Sequence, residues 1–316
     1  MTPRRLRYFL AIVEAESVTA AARALGVAQP ALSQHLHALE TEFGVPLFER
    51  HARGVIATEA GERLARHVRA LDRQFERIAA DVRGSMDDPL TGTVHLCIAA
   101  SLAPVLAPAL VRRVQTSAPG IELMLHSPLS VRARRMLASG EVDLAVLPGL
   151  EEIEGITAVP VYRERLSLLG RTVLLEGLPD PLQVRQLGRV ELVAPSRPHS
   201  MRQYLEWLAA QAGVTLRIRY TIDDALVTRA LIREGLGCAV LPISMLGSAI
   251  TGADEMAVRR LVRPVPGRLL SIAWVADRPL QPAALFVREN VLDCVRGLVA
   301  SRRLDGRASG EADPYK

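Results

Sequence analysis

SVTAAARALGVAQPALSQHLHALE, residues 17–40, holds two helical patterns separated by only three residues. Ser17 suits an N-cap for the first, Val18 to Leu25, because its hydroxyl can accept from an unpaired N–H of the first turn. Ala20, Ala21 and Ala22 permit close packing, and Gly26 ends the helix in the manner of a C-terminal glycine. Gln29 opens the next helix, with Pro30 in the first turn where a missing N–H costs little. Leu32, Leu36, Leu39 and Phe43 share the face expected to be buried. Gln29, Ser33, Gln34 and His37 share the other face, with His35 to one side. Two short helices around a tight glycine turn, the second polar and almost uncharged outside, have the form of a helix-turn-helix. Gln and Ser can donate and accept at base edges in a major groove, and Gln can pair bidentately with adenine. On this segment alone, an αα-hairpin with a solvated polar face is the alternative.

The flanking sequence favours the first reading. Leu6, Phe9, Leu10 and Val13 recur at helical spacing, so residues 3–15 form an amphipathic helix. Residues 44–58, GVPLFERHARGVIAT, hold Arg50, Arg53, Gly54 and the apolar pair Val55-Ile56. That composition predicts a two-stranded wing whose arginines are placed for phosphates or a narrow minor groove. Leu64, Val68, Leu71, Phe75, Ile78 and Val82 then space as 4, 3, 4, 3, 4, an a/d seam of about three heptads. So narrow a seam predicts a dimerisation interface with a partner helix rather than a globular core face. GSMDDPLTG, residues 84–92, reads as a linker.

Together these residues resemble the N-terminal domain of LysR-type transcriptional regulators. The resemblance rests on Ser17-x-Thr19-x-Ala21-Ala22, Leu25, Gln29-Pro30-Ala31-Leu32-Ser33, Leu39-Glu40, Gly44-x-x-Leu47-Phe48-x-Arg50 and Thr58-x-x-Gly61. Within the family it is nearest to the branch of nitrogen assimilation regulators. The resemblance implies that Thr19, Gln29, Pro30, Ser33, Gln34, His37, Arg50 and Arg53 contact DNA, and that the long helix pairs antiparallel with that of a second chain. Val18 stands where the family often has an aromatic residue, and Gln34-His35 where Arg-Gln is common, so base preferences do not carry over.

Beyond residue 90, short apolar runs alternate with helical patterns. Strands are expected at 94–99, 121–126, 142–148, 165–170, 191–194, 216–222, 237–241 and 269–276. Helices are expected near 103–117, 130–139, 181–188, 200–212, 224–235 and 282–303. This alternation predicts βαβ units and parallel sheets. Extended stretches at 159–164 and 261–268 would carry the chain twice between two lobes. The expected fold is therefore α/β. A winged helix-turn-helix over 1–58 and a linker helix with hinge over 59–90 precede a two-lobed effector domain over 91–303. Lobe I would hold about 91–161 and 268–303 and lobe II about 162–267, with a disordered tail at 304–316. The two-lobed part resembles type 2 periplasmic binding proteins, through the runs LASGEVDLAV (137–146) and Gly235-x-Gly237-x-Ala239-x-Leu241-Pro242.

A ligand would sit between the lobes, at strand carboxyl ends. Ser101 and Leu102 join a strand to the helix near Pro104, placing a hydroxyl beside helix N–H groups that suit an anion. PSRPHS, residues 195–200, offers Ser196 and His199 at a second such join. Each of these serines, and His199, could equally be a helix cap. Pro148, Thr221 and Ile222, at two further strand ends, complete the candidate lining.

Composition sets outer limits. With 316 residues, 49% hydrophobic and 23% charged, the chain has core material for about two domains. The net charge is +5, yet cations and acids balance over residues 1–90, so bulk charge does not mark a DNA-binding end. Cys97, Cys238 and Cys294 lie far apart among apolar neighbours, which predicts buried inert thiols, no metal site and a reducing, cytoplasmic setting. Residues 94–111 and 235–253 reach membrane-spanning length without charge, but prolines, glycines and serines break both, so no membrane span is expected. No nucleophile elbow, dinucleotide or phosphate loop, or HExxH motif is present, so no catalytic residue or cofactor is assigned. The implied partners are double-stranded DNA, a small-molecule effector such as an organic acid, further copies in a homodimer or homotetramer, and RNA polymerase. A solute-binding protein without a DNA-binding role is the alternative.

Overall fold

The computed structural model describes residues 1–51, 54–83, 90–151, 153–245 and 256–309. The chain divides into two compact units, one holding Met1–Ser85 and Ser139–Glu141 and the other Met86–Ala138 and Val142–Lys316.

In the first unit, α1 (Pro3–Ala15), α2 (Val18–Ala24) and α3 (Gln29–Phe43) precede β1 (Phe48–His51), β2 (Gly54–Ala57) and α4 (Glu59–Arg83). Ser17 caps α2 by accepting from Ala20 N at 3.2 Å, and Gly26 turns at φ +65°. Leu6, Phe9, Ile12, Ala21, Leu32 and Leu39 form the core with Leu47 and Val55. The Glu40 carboxylate accepts from Leu47 N at 2.8 Å, so the end of α3 sets the turn into the wing. Val55 N donates to Glu16 O at 2.9 Å, and a Cβ on Gly54 would run into that same carbonyl. The wing is thus pinned to the α1–α2 corner, and only glycine fits there. Phe43, expected inside, is 42% exposed. The chain turns back at Leu47 and Phe48, and these two fill the core in its place, Phe48 lying 5.3 Å from the Phe9 ring.

The seam of α4 divides. Val68 is 1% exposed and packs with half-buried Leu64 into the core of its own unit. Leu71, Phe75 and Ile78 stand 44%, 49% and 51% exposed. The expectation of one uniform partner face is corrected at Leu64 and Val68, because the first turns of α4 lie against the helix-turn-helix core. The Val82 side chain and the linker at 84–89 lie outside the described residues.

The second unit begins with β3 (Gly92–Ile98), α5 (Ala103–Ser117), β4 (Ile121–His126), α6 (Ser130–Ala138) and β5 (Leu144–Pro148). Next come β6 (Ile156–Arg165), β7 (Ser167–Arg171), α7 (Thr172–Leu175), β8 (Leu182–Gln183), β9 (Glu191–Ala194) and α8 (Ser200–Gln211). It ends with β10 (Arg217–Thr221), α9 (Ala225–Arg233), β11 (Ala239–Leu241), β12 (Met256–Val262), β13 (Gly267–Val275), α10 (Pro282–Ala300) and β14 (Gly306–Ala308). Lobe I is a six-stranded sheet in the order β14-β6-β13-β5-β3-β4. Lobe II holds the order β11-β7-β12-β8, with β9 and β10 joined to it through a Leu192–Cys238 bridge.

Several expectations change. The sheets are mixed rather than parallel, since β13 runs antiparallel to both β5 and β6 and β7 antiparallel to β11 and β12. The helix expected at 181–188 is the two-residue β8 followed by a 3₁₀ turn, Val184–Arg189. The lobe boundary falls at Leu166 rather than 162, because β6 stays in lobe I to Arg165 while Leu166 is buried in the lobe II core. The chain returns at Pro266–Gly267, and Leu166 N donates to Pro266 O at 3.2 Å, tying the two crossings together. The tail expected to be disordered from 304 instead buries Leu304 and adds β14 to the edge of lobe I, because its backbone can pair with exposed β6.

Candidate nucleic-acid interface and effector cleft

On α3, Gln29, Pro30, Gln34 and His37 are exposed and Ser33 is half-buried, while Leu32 and Leu39 beneath them are fully buried. Helical periodicity therefore separates a polar, solvent-facing side from an anchoring side within one element. His35 leaves that face and meets Tyr8, with ring centroids 5.2 Å apart. Thr19 is exposed in the first turn of α2. The N-cap residue of α3 is Ala28, which has no side-chain cap, so its first-turn N–H groups remain for water or a phosphate. Arg50 lies on β1 opposite Val55, and Arg53 lies outside the described residues.

The cleft is assembled from separate elements. Ser101, 8% exposed, follows β3, and Leu102 behind it is buried. No side chain caps α5, so the Ser101 hydroxyl is not a helix cap; it lies 3.5 Å from Arg268 Nη2. Arg268 on β13 donates Nε–H to Glu164 Oε1 on β6 at 2.6 Å, and Nη2 reaches the same oxygen. Glu164 and Arg268 are 1% and 8% exposed, so this is a buried ion pair on the two strands nearest the crossings. From lobe II, Ser244 Oγ donates to Ser101 O at 3.4 Å, and Ser200 N donates to Ser130 Oγ at 3.1 Å. Gly267 N donates to Tyr204 Oη at 2.9 Å, and that hydroxyl donates to Gly267 O at 3.1 Å.

The other candidates divide. His199 is the N-cap of α8, its Nδ1 accepting from Met201 N at 3.1 Å, which places the proton of the neutral ring on Nε2. Burial and then the charge of Arg268 hold His199 below the ordinary histidine range, partly offset by Asp223. Ser196 is bound up with Asp223: its hydroxyl lies 2.8 Å and 2.9 Å from the two carboxylate oxygens, and its N–H 2.8 Å from one. Those bonds to Asp223 hold the carboxyl below its usual range. Pro148 is buried, and its carbonyl accepts from Arg134 Nη2 at 3.0 Å. Thr221 is exposed, and Ile222 packs on the lobe II core. Ser101 thus lies beside the Arg268 guanidinium, whereas Ser196 belongs to a lobe II bracing contact. Burial pushes the Cys97 thiol up to about 12 and Cys238 up to about 11, so both remain protonated.

Residues 3–62 match the family described as bacterial regulatory helix-turn-helix protein, lysR family. Residues 87–294, more than half of the chain, match the LysR substrate binding domain. The chain belongs to the LysR family of transcriptional regulators. It is 30% identical to the nitrogen assimilation regulatory protein nac of Escherichia coli, over 96% of this chain and 98% of that one. Full-length CbnR complexed with its target DNA is 25% identical, with a TM-score of 0.67, covering 94% of this chain and 99% of that chain. A full-length OxyR variant from Pseudomonas aeruginosa shares the fold at 23% identity and a TM-score of 0.68, covering 94% and 98%.

The sequence reading of this LysR-type regulator missed Glu164, Arg268, Tyr204 and Ser130. One signal was present: Glu164 and Arg268 are charges placed inside the two stretches read as crossings. A charge is expensive to bury alone, and an acid in one crossing stretch with arginines in the other offers the opposite signs that a buried pair needs. No helix among the described residues is long and apolar enough to cross a membrane.

Proposed function

We propose that this regulator binds an operator in double-stranded DNA as a homo-oligomer and changes its quaternary arrangement when an organic acid occupies the cleft. The observation that carries the reading is the uncharged outer face of α3, with Gln29, Gln34 and His37 exposed and Ser33 half-buried, on a helix whose opposite side is locked into a core. Such a face supplies the donors and acceptors that base edges require. Thr19 and the helix N-terminus would meet phosphates, and Arg50 and Arg53 would add sequence-independent affinity. Leu71, Phe75 and Ile78 are the part of the seam left for a second chain, which would set two reading helices at two half-sites.

Ser101, Leu102, Pro148, Ser196, His199, Thr221 and Ile222, from lobe I and lobe II, would line the effector site. Effector binding would act through differential affinity for two quaternary states. Contact with RNA polymerase would follow from that rearrangement. The protein would act in the cytoplasm, without catalysis. Genome-wide mapping of sites bound by the tagged protein, followed by gel shifts on the recovered duplexes at low ionic strength, tests the reading. Enrichment of a short dyad or paired half-sites is expected. Indifference to every duplex would sink it.

A further inference from the structure

The run Gly235-x-Gly237, on the return from α9 to β11, walls a cavity of about 430 Å³ in lobe II. Leu174, Tyr220 and Leu236 supply its apolar sides, and Arg189, Glu191 and Arg219 its charges. Glu191 is the first residue of β9 and Ser196 follows its last, so this cavity and the cleft candidates lie at opposite ends of that strand. The Glu191 carboxylate is already engaged: Arg219 Nη1 lies 2.5 Å from Oε2 and Arg217 Nη2 3.4 Å from Oε1. The Arg189 guanidinium has no hydrogen bond or ion pair among the described residues. Three guanidiniums against one carboxylate leave an excess of two positive charges. Cys238, also in the wall, adds no charge, because burial keeps its thiol protonated. Gly237 is buried between two paired neighbours: Leu236 N donates to Leu231 O and Cys238 N to Glu191 O, while Gly237 N donates to no acceptor among the described residues. A buried N–H is rarely left unpaired, so this donor is available to an acceptor from outside the chain.

We propose that this cavity is a small-molecule site separate from the cleft, and that it takes a phosphate monoester carrying an apolar group. Arg189 and Arg219 hold the phosphoryl oxygens, Gly237 N–H donates to a third, and Leu174, Tyr220 and Leu236 cover the apolar group. A phosphate monoester carries about −1.5 to −2 charges at neutral pH and three acceptor oxygens, which matches both the excess charge and the donor set. A carboxylate brings one charge and two oxygens, so it would leave a donor unused. The volume falls within the roughly 300–1,000 Å³ of small-molecule sites. Both arginines are exposed, so they can turn to a ligand without disturbing the lobe II core. Occupancy ties β10, through Arg219, to the Gly235–Cys238 corner and to the turn that carries Arg189.

The test uses the full-length protein, with calorimetry and thermal shift against phenyl phosphate, phenylacetate, phenol and inorganic phosphate, each to about 10 mM. Phenyl phosphate should bind and raise Tm. Inorganic phosphate and phenylacetate should bind about tenfold more weakly or worse, and phenol not at all. The double variant Arg189→Gln/Arg219→Gln changes only exposed side chains and leaves Arg217 with Glu191. It should keep the parental Tm and weaken phenyl phosphate by about tenfold or more. Leu236→Ala should weaken phenyl phosphate and leave inorganic phosphate unchanged. Phenyl phosphate that binds the double variant undiminished sits elsewhere on the protein, and that result overturns the proposal. Phenol, phenylacetate or inorganic phosphate binding as tightly as phenyl phosphate overturns the choice of a phosphate monoester with an apolar group. Failure of phenyl phosphate to bind overturns it as well.

Discussion

Gln29, Ser33 and His37 sit four residues apart on one fifteen-residue helix, so the geometry of a single element places them side by side. Ser101, Glu164, His199 and Arg268 come from four places, and the bond between Ser101 and Arg268 spans 167 residues of chain. The first site is polar and exposed, held by apolar residues directly beneath it. The second is charged and buried, held by the very ion pair that forms it. A site of the first kind tolerates loss of its functional side chains, because they carry no packing. One of the second kind does not, because its charges depend on one another for solvation.

That contrast can be broken by mutation. Arg268→Ala should cost about 3–5 kcal/mol of unfolding free energy in urea, since it strands buried Glu164, whereas the uncharged double variant Glu164→Gln/Arg268→Gln should recover most of it. Equal stability of Arg268→Ala and the parent would show that the cleft is no more interdependent than the reading face. Phe75→Glu on α4 should weaken self-association by about 2 kcal/mol in sedimentation, from the apolar burial it removes, with the fold of each unit intact. Gln29→Ala or Ser33→Ala should lose about 1–3 kcal/mol for the cognate duplex in fluorescence anisotropy, relax base preference and leave Tm unchanged. Arg53→Ala should instead weaken all duplexes alike and lower the salt slope by about one.

The smallest effect concerns pH. Because the folded protein holds His199 below the value of 6.5 that an unperturbed ring has, the unfolded chain binds a proton that the folded one resists. Stability from this group is therefore lost as pH falls below about 6.5, until the folded ring itself is protonated. His199→Asn keeps a side-chain acceptor for Met201 N and should reduce the loss of stability between about pH 7.5 and about pH 5.5 in urea titrations. An unchanged difference would mean that the imidazole is not held neutral.

The three N-terminal helices were legible because caps and spacing are local. Ser17, Gly26 and Pro30 mark ends within a few residues, and the run Leu32, Leu36, Leu39 orients α3 without knowledge of any other part of the chain. Phe43 was misplaced for a non-local reason: Leu47 and Phe48 reach the core first, once Glu40 binds their backbone N–H groups. Val68 was misplaced similarly. Its heptad position is that of Phe75, and only the presence of a folded neighbour distinguishes a core residue from a bare one. β14 carries no apolar run at all, and it forms because β6 offers an unpaired edge.

By itself, then, the order of residues decided where most of the helices and strands form, which side of α3 is polar, and that a helix with an apolar stripe follows it. Those are properties of period and of neighbours a turn away. Tertiary structure alone decided which of the stripe residues remain bare, where the chain crosses between lobes, and that Glu164 meets Arg268 beside Ser101. A buried charge is tolerable only next to its partner, and partners far apart in sequence become neighbours only when the strands that carry them pair.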